Sequence, residues 1–211
     1  TESDFRLARE ISPIIGKVLA KIEEEYDKEP LPVIEILSPE ENLHRISQAI
    51  HSAKNIDEIL IELKESILKL FEAQAITIYA VDGPKNEIFS KIKSGEEINE
   101  IRVPLSPVSI AGWVGMHQKS VNITDVYNEQ ALQSYHPDLK FDSSWDKKSG
   151  SVTKSVLGYP MLHAGKLMGV LQLVNKLNGE KFTAQDEKSA TIISETLALA
   201  FHNQEKYVPS K

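Results

Sequence analysis

The sequence predicts an α+β domain, an antiparallel sheet covered by the domain's first and last helices, with a further helical segment ahead of it. Three observations predict this. Apolar residues recur at three- and four-residue steps towards both ends of the chain, but alternate or run β-branched over much of residues 75–176. Most connections in that middle stretch are short and rich in turn residues, which joins neighbouring strands as hairpins rather than as parallel crossovers. The length of 211 residues suits one sizeable domain with an appended segment, two full domains being a squeeze.

Residues 4–26 place Phe5, Leu7, Ile11, Ile14, Ile15, Val18, Leu19 and Ile22 on one helical stripe, with Pro13 and Gly16 as points for a kink. Glu29-Pro30-Leu31-Pro32 cannot continue a helix, so a linker and a short extended stretch, 33–37, separate this segment from a domain over 38–208. Ser38-Pro39-Glu40-Glu41 reads as an N-cap, a proline at the first helical position and a capping-box glutamate. The helix it starts carries Leu43, Ile46, Ile50 and Ala53. Asn55 and Asp57 restart a second helix bearing Ile59, Leu60, Leu63, Ile67, Leu70 and Phe71.

Residues 75–81 are mostly β-branched or aromatic, and Asp82-Gly83-Pro84-Lys85-Asn86 turns them into the alternating stretch 87–93. A strand over 101–105, a short helix over 109–118 and an edge strand over 121–123 follow. Residues 126–152 are mixed in charge and hold Pro137 and Gly150, so they predict a long irregular segment with one helical turn, of the length used for lids and binding elements. Strands over 155–163 and 166–176 meet at Ala164-Gly165. Thr183 and Asp186 then cap a last helix whose stripe is Ala190, Ile193, Leu197, Ala200 and Phe201.

Composition narrows the function. Hydrophobic residues at 41% and charged residues at 26% describe an ordinary globular chain. A formal charge of -7 opposes nucleic acid, which needs clustered Lys and Arg, and opposes membrane surfaces likewise. With no long apolar run and no signal-peptide pattern, the expected location is the cytoplasm. No cysteine occurs, which removes disulfides, thiolate catalysis and Cys-ligated metal. The six histidines lack ligand spacing, and no nucleophile–base pair or phosphate-cradling glycine loop stands out. A non-catalytic domain is expected, without metal or cofactor. The start at Thr1 and the closing Tyr207-Val208-Pro209-Ser210-Lys211 suggest a piece of a longer polypeptide.

Ile110-Ala111-Gly112-Trp113-Val114 and Asn122-Ile123-Thr124-Asp125-Val126-Tyr127 resemble the "IAGWV" and "NIxDxY" signatures of GAF domains. Residues 146–157, from Asp146 through Ser149-Gly150 and Thr153 to Leu157, are similar to the "DxxTGxxTxxxL" lid of GAF domains in cyclic-nucleotide phosphodiesterases and related adenylate cyclases. Asn175-Lys176, Phe182 and Asp186-Glu187 match the "NK…FxxxDE" motif of that branch. The matches run over about residues 55 to 205. A vaguer similarity, on 130–139, 141–146 and 195–201, is to GAF domains of type II/IV secretion ATPases.

The resemblance implies a GAF fold with a six-stranded antiparallel sheet and a lidded cavity on one face. It implies ligand contacts from Ser94, Ile110, Ala111, Asp146, Ser149, Thr153 and Gln172, and a bracing role for Asn175, Lys176, Phe182, Asp186 and Glu187. The residues allow this and more. Lys176 at a strand end and Asp186 in the first turn of a helix can pair while the carboxylate favours the helix dipole. Asp146 and Ser149 fit a nucleotide's polar rim and fit an Asx-type turn before Gly150 equally well, whereas Thr153 reads as a ligand contact.

The first amides of the helix at Ile110 and Ala111 suit a phosphate or serve ordinary packing. Gln172, on the strand face of Met168, Val170 and Val174, meets either ligand or lid backbone. Trp113 and Trp145 read as core and lid packing. Where guanine-binding members carry an aromatic residue and an aspartate, this chain has Lys93 and Ser94, and Gln172 stands where some members carry glutamate.

The expected function is therefore a small-molecule-sensing regulatory domain of a larger signalling or secretion protein, with cyclic AMP or cyclic GMP as the possible ligand, an effector domain in the same polypeptide and a homodimer as partners. The alternative is a dimerisation or docking module with an empty cavity. The methionine-sulfoxide reductase branch of the family and thiol-attached bilin photoreceptors both need the cysteine that this chain lacks.

Overall fold

The computed structural model describes residues 38–94, 97–150 and 152–205. The expected helix over 4–26 and the segment up to residue 37 lie outside the described residues.

Helix α1, Pro39–Ser52, begins on the capping box that its sequence encodes. Glu41 N–H donates to Ser38 Oγ at 3.2 Å and Ser38 N–H donates to Glu41 Oε2 at 2.8 Å. The next helix, expected to run unbroken to Phe71, is divided into α2, Ile56–Ile61, and α3, Lys64–Phe71. Glu62 N–H and Leu63 N–H both donate to Glu58 O, so the ladder widens and stops there. The restart turns Lys64 inward, where its ammonium donates to Lys91 O at 2.8 Å.

The sheet contains β1 (Ala73–Asp82), β2 (Glu87–Ser94), β3 (Glu97–Pro104), β4 (Val121–Ile123), β5 (Val156–His163) and β6 (Lys166–Lys176). Their order is β3-β2-β1-β6-β5-β4, and every described pairing is antiparallel. The β5–β6 turn sets Ala164 and Gly165 at φ 49° and 78°, the left-handed pair that a tight hairpin requires. Strand β3 begins four residues before its expected start, because its whole length pairs with β2, from Ser94↔Glu97 to Glu87↔Pro104.

Helices α1 and α3 and the last helix, α7 (Ala184–Glu205), cover one face of the sheet. Ile50, Phe71, Leu171, Ile193 and Phe201 are buried together there, each side chain contributing about 1.5–3 kcal/mol by burial. The other face holds a second core of Tyr79, Val156 and Val170 under α4, Ile110–His117. Gly112 lets α4 approach the chain before it: a Cβ there would lie 2.5 Å from Pro104 O and 2.8 Å from Ser106 O.

The segment expected to be irregular with one helical turn forms two short helices, α5 (Glu129–Gln133) and α6 (Ser144–Ser149). Leu132 and Leu139 of this lid are buried in the second core. Lys140 N–H donates to Val108 O, which ties the lid to the approach of α4.

One expectation about strand faces is corrected. Met168 does not share a face with Val170: it is buried with the helix-side core, while Val170 belongs to the lid-side core. A register shift between Met161 and Leu162 pairs Met161 with Gly169 and Leu162 with Leu167, which leaves Met168 as the extra residue of a bulge.

Candidate functional site

The floor of the lid-side face is built by alternation. Thr77 and Tyr79 of β1 share one face by the period of two, and Thr77 is the register partner of Gln172 in β6. Gln172 is half-buried between Val170 and Val174, opposite Gly158 on its other side. Its amide has no hydrogen-bond partner among the described residues. Burial pushes the Tyr79 phenol up to about 12, with the Thr77 hydroxyl opposing, so Tyr79 stays protonated at neutral pH. The floor is polar and uncharged at these positions.

Above it, α4 starts on Ser109, whose Oγ accepts from Gly112 N–H at 3.2 Å, and its first intrahelical bond is Trp113 N–H to Ser109 O at 2.8 Å. Ile110 and Ala111 are buried. Their amides precede that first bond, so they have no partner within the helix.

The lid residues meet one another. Asp146 in α6 is buried, and its carboxylate accepts three hydrogen bonds: from Tyr127 OH at 3.0 Å, Thr153 N–H at 2.7 Å and Thr153 Oγ1–H at 2.7 Å. Burial by itself would raise the Asp146 carboxyl, but the Thr153 amide and hydroxyl and the Tyr127 hydroxyl outweigh it and hold the group below the ordinary carboxylate range. Residues 146, 153 and 127 thus form a latch that closes the lid on its own donors.

The base of the lid is braced by the "NK…FxxxDE" residues. Asn175, in the left-handed conformation at φ 49°, accepts at Oδ1 from Lys154 N–H (2.7 Å) and Ser155 N–H (2.9 Å). Its Nδ2 donates to Val152 O (2.7 Å) and Gln74 Oε1 (2.9 Å). All four partners are fixed by one side chain.

Lys176 Nζ meets both Asp186 oxygens at 3.1 and 3.2 Å, while Asp186 Oδ2 accepts from Thr183 N–H and Oγ1 at 2.7 and 2.8 Å and closes the cap of α7. Glu187 accepts from Asn122 Nδ2 at 2.7 Å, and the same amide donates to the carbonyl of buried Phe182.

Of the expected ligand residues, Asp146 and Thr153 are brought together, Ile110 and Ala111 stand at the start of α4, and Gln172 lies on the floor. Ser94 ends β2 beyond the part that pairs with β1, which runs Ala80↔Phe89 to Asp82↔Glu87. Ser149 ends α6. The side chains of Ser94, Trp145 and Ser149 lie outside the described residues. Thr77, Tyr79 and Tyr127 are site residues beyond the ligand contacts that the sequence motifs point to. The alternation in β1 opposite Gln172 could have found the first two, and the last residue of the "NIxDxY" run the third.

A cleft of about 840 Å3 opens behind the lid strap of residues 152–155. Gln74, Thr124, Asp125, Lys154, Ser155 and Lys181 help to line it, and none of the seven expected ligand residues does. Among the described residues no cluster of His, Asp or Glu is arranged to hold a metal, and no helix is long and apolar enough to cross a membrane.

This sheet order, with a short helix and a lid over one face, defines an α+β sensor-type fold, and residues 55–201 match the GAF domain model. The chain belongs to the GAF family of regulatory and sensory domains. It is 30% identical over 169 residues to a probable 3',5'-cyclic phosphodiesterase, pde-5, of Caenorhabditis elegans, covering 74% of this chain and 22% of that protein. To the dual 3',5'-cyclic-AMP and -GMP phosphodiesterase 11A of Takifugu rubripes it is 28% identical over 155 residues, covering 67% and 16%. The chain therefore spans about a fifth of the length of these relatives. Among solved structures it is similar to the GAF domain of an Acinetobacter phosphoenolpyruvate-protein phosphotransferase, with a TM-score of 0.63 at 18% identity, covering 81% of this chain and 96% of that one.

Proposed function

We propose that this domain is the ligand-sensing regulatory module of a larger signalling protein, and that its ligand is a cyclic nucleotide held between the sheet floor and the lid. The observation that carries the reading is the Asp146 latch. A buried carboxylate that accepts from lid donors gives the lid a closed state, and a ligand that competes for Asp146 or Thr153 has different affinity for closed and open lids. The first amides of α4 would take the phosphate, with Ala111 permitting close approach.

Gln172 offers a donor and an acceptor together, the pattern that pairs with adenine. With Lys93 and Ser94 in place of an aromatic residue and an acid, cyclic AMP is favoured over cyclic GMP. Ser94 and Ser149 remain proposed contacts at the rim. The domain would act without chemistry of its own, on an effector domain in the same cytoplasmic polypeptide, with residues 1–37 a separate linked segment and 38–208 the domain. Neither relative named above is a secretion ATPase, so a signalling host is preferred.

Calorimetric titration with cyclic AMP, cyclic GMP and a small metabolite panel tests this. Saturable heat with cyclic AMP, weaker with cyclic GMP, is the expected result. A flat response to all of them would leave the second reading, a homodimerising or docking module. That reading draws on α7, where Ile192 is 45% exposed, and a strict monomer at high concentration would sink it.

A further inference from the structure

The strap of residues 152–155 has two sides. Thr153 turns to Asp146, while Val152, Lys154 and Ser155 line the cleft of about 840 Å3 behind the lid, a size ordinary for a small-molecule site. Apart from Lys176, matched by Asp186, four formal charges share this cleft: the ammoniums of Lys154 and Lys181 and the carboxylates of Asp125 and Glu180. Neither ammonium has a partner among the described residues. Each carboxylate uses one oxygen, Asp125 Oδ1 accepting from Tyr127 N–H at 2.9 Å and Glu180 Oε2 from Asn178 Nδ2 at 3.2 Å, and the other has no partner among the described residues.

The cleft also has a buried polar group. Ser155 is 5% exposed and lines the cleft, where its hydroxyl can both donate and accept a hydrogen bond. A purely anionic ligand would meet Asp125 and Glu180, and a purely cationic one would meet the two lysines. Only a ligand bearing both charges complements the whole lining.

We propose that this cleft is a binding site for a small zwitterion of the α-amino-acid class, its carboxylate taken by Lys154, Lys181 and the Ser155 hydroxyl and its ammonium by the free oxygens of Asp125 and Glu180. The site is independent of the nucleotide reading, since none of the proposed nucleotide contacts lines it.

An NMR titration of the backbone amides with glycine and with L-glutamine tests the proposal. Saturable shifts are expected at Asp125, Ser155, Gly179 and Lys181. N-acetyl-L-glutamine and L-glutaminamide, each lacking one charge, should bind at least about tenfold more weakly. Lys181→Gln, an exposed change that leaves the fold alone, and Ser155→Ala should each weaken binding several-fold. The proposal is overturned by the absence of saturable shifts with both amino acids, by equal binding of the blocked derivatives, or by shifts confined to Ile110, Ala111 and Gln172. Because cyclic nucleotide is read at those last residues and the zwitterion at the cleft, failure of either reading is visible separately.

Discussion

Asp146 gathers donors from both ends of the lid, so the closure of the lid can be read from single groups. Tyr127→Phe removes one of three hydrogen bonds and should lower stability by about 0.5–1.5 kcal/mol. If ligand entry requires the latch to open, the same change should tighten cyclic-nucleotide binding several-fold, as calorimetry on the variant would reveal; unchanged or weaker affinity would contradict the gating role.

The latch also sets a pH dependence. The Asp146 carboxyl is depressed in the folded protein, so its contribution is fully present above the unfolded value of about 3.9 and is lost as pH falls through the lower folded value. Exchange protection of the Thr153 amide should hold from neutral pH down to about pH 4 and fail only at lower pH, beneath the ordinary carboxylate range. In Asp146→Asn that protection should be reduced at neutral pH as well. The chemistry of Asp146 and Thr153 was visible in their residue types, but their mutual bonding was not, because the seven-residue step between them crosses the end of α6 and so follows no single period from which a contact can be read.

At the scale of elements, two contacts hold the site in place. Gly112→Ala would drive a methyl into the backbone oxygens of Pro104 and Ser106, groups that cannot rotate away. A loss of about 1–3 kcal/mol is expected by chemical denaturation, with α4 lifted from the floor. Lys176→Ala leaves Asp186 buried with only Thr183 and its own helix end for company. Such breaks cost about 3–5 kcal/mol, and thermal unfolding should register one of that order, whereas Lys181→Gln on the cleft rim should leave the melting temperature nearly unchanged.

Elements with local signals were legible in the sequence. The α1 capping box, the Ala164-Gly165 hairpin and the Thr183–Asp186 cap each rest on residues three or fewer apart. The divided helix at Glu62–Leu63 and the bulge at Met168 were not, since both answer to partners distant in sequence: Lys91 O for Lys64, and the β5 register for Met168. That bulge is why Gln172 keeps Val170 and Val174 as its face neighbours but loses Met168.

For the whole molecule, the antiparallel order β3-β2-β1-β6-β5-β4 puts the strap next to the brace, because β5 lies beside β6 and Asn175 stands one residue before the end of that strand. The helix-covered face is packed, and the lid-side face keeps an amide and a phenol on its floor. One face supports, and the other is arranged to respond. Asn175 fixes the amides of Lys154 and Ser155 while Asp146 fixes that of Thr153, so adjacent amides of one strap report on the brace and on the latch.

Amide hydrogen exchange across residues 152–155, with and without cyclic AMP, separates a ligand-responsive latch from a fixed one. Saturating cyclic AMP should change the exchange rate of the Thr153 amide by about tenfold or more, the scale of about 1.4 kcal/mol, and leave Lys154 and Ser155 as they were. An unchanged Thr153, or a strap whose three amides all shift together, would contradict the responsive latch.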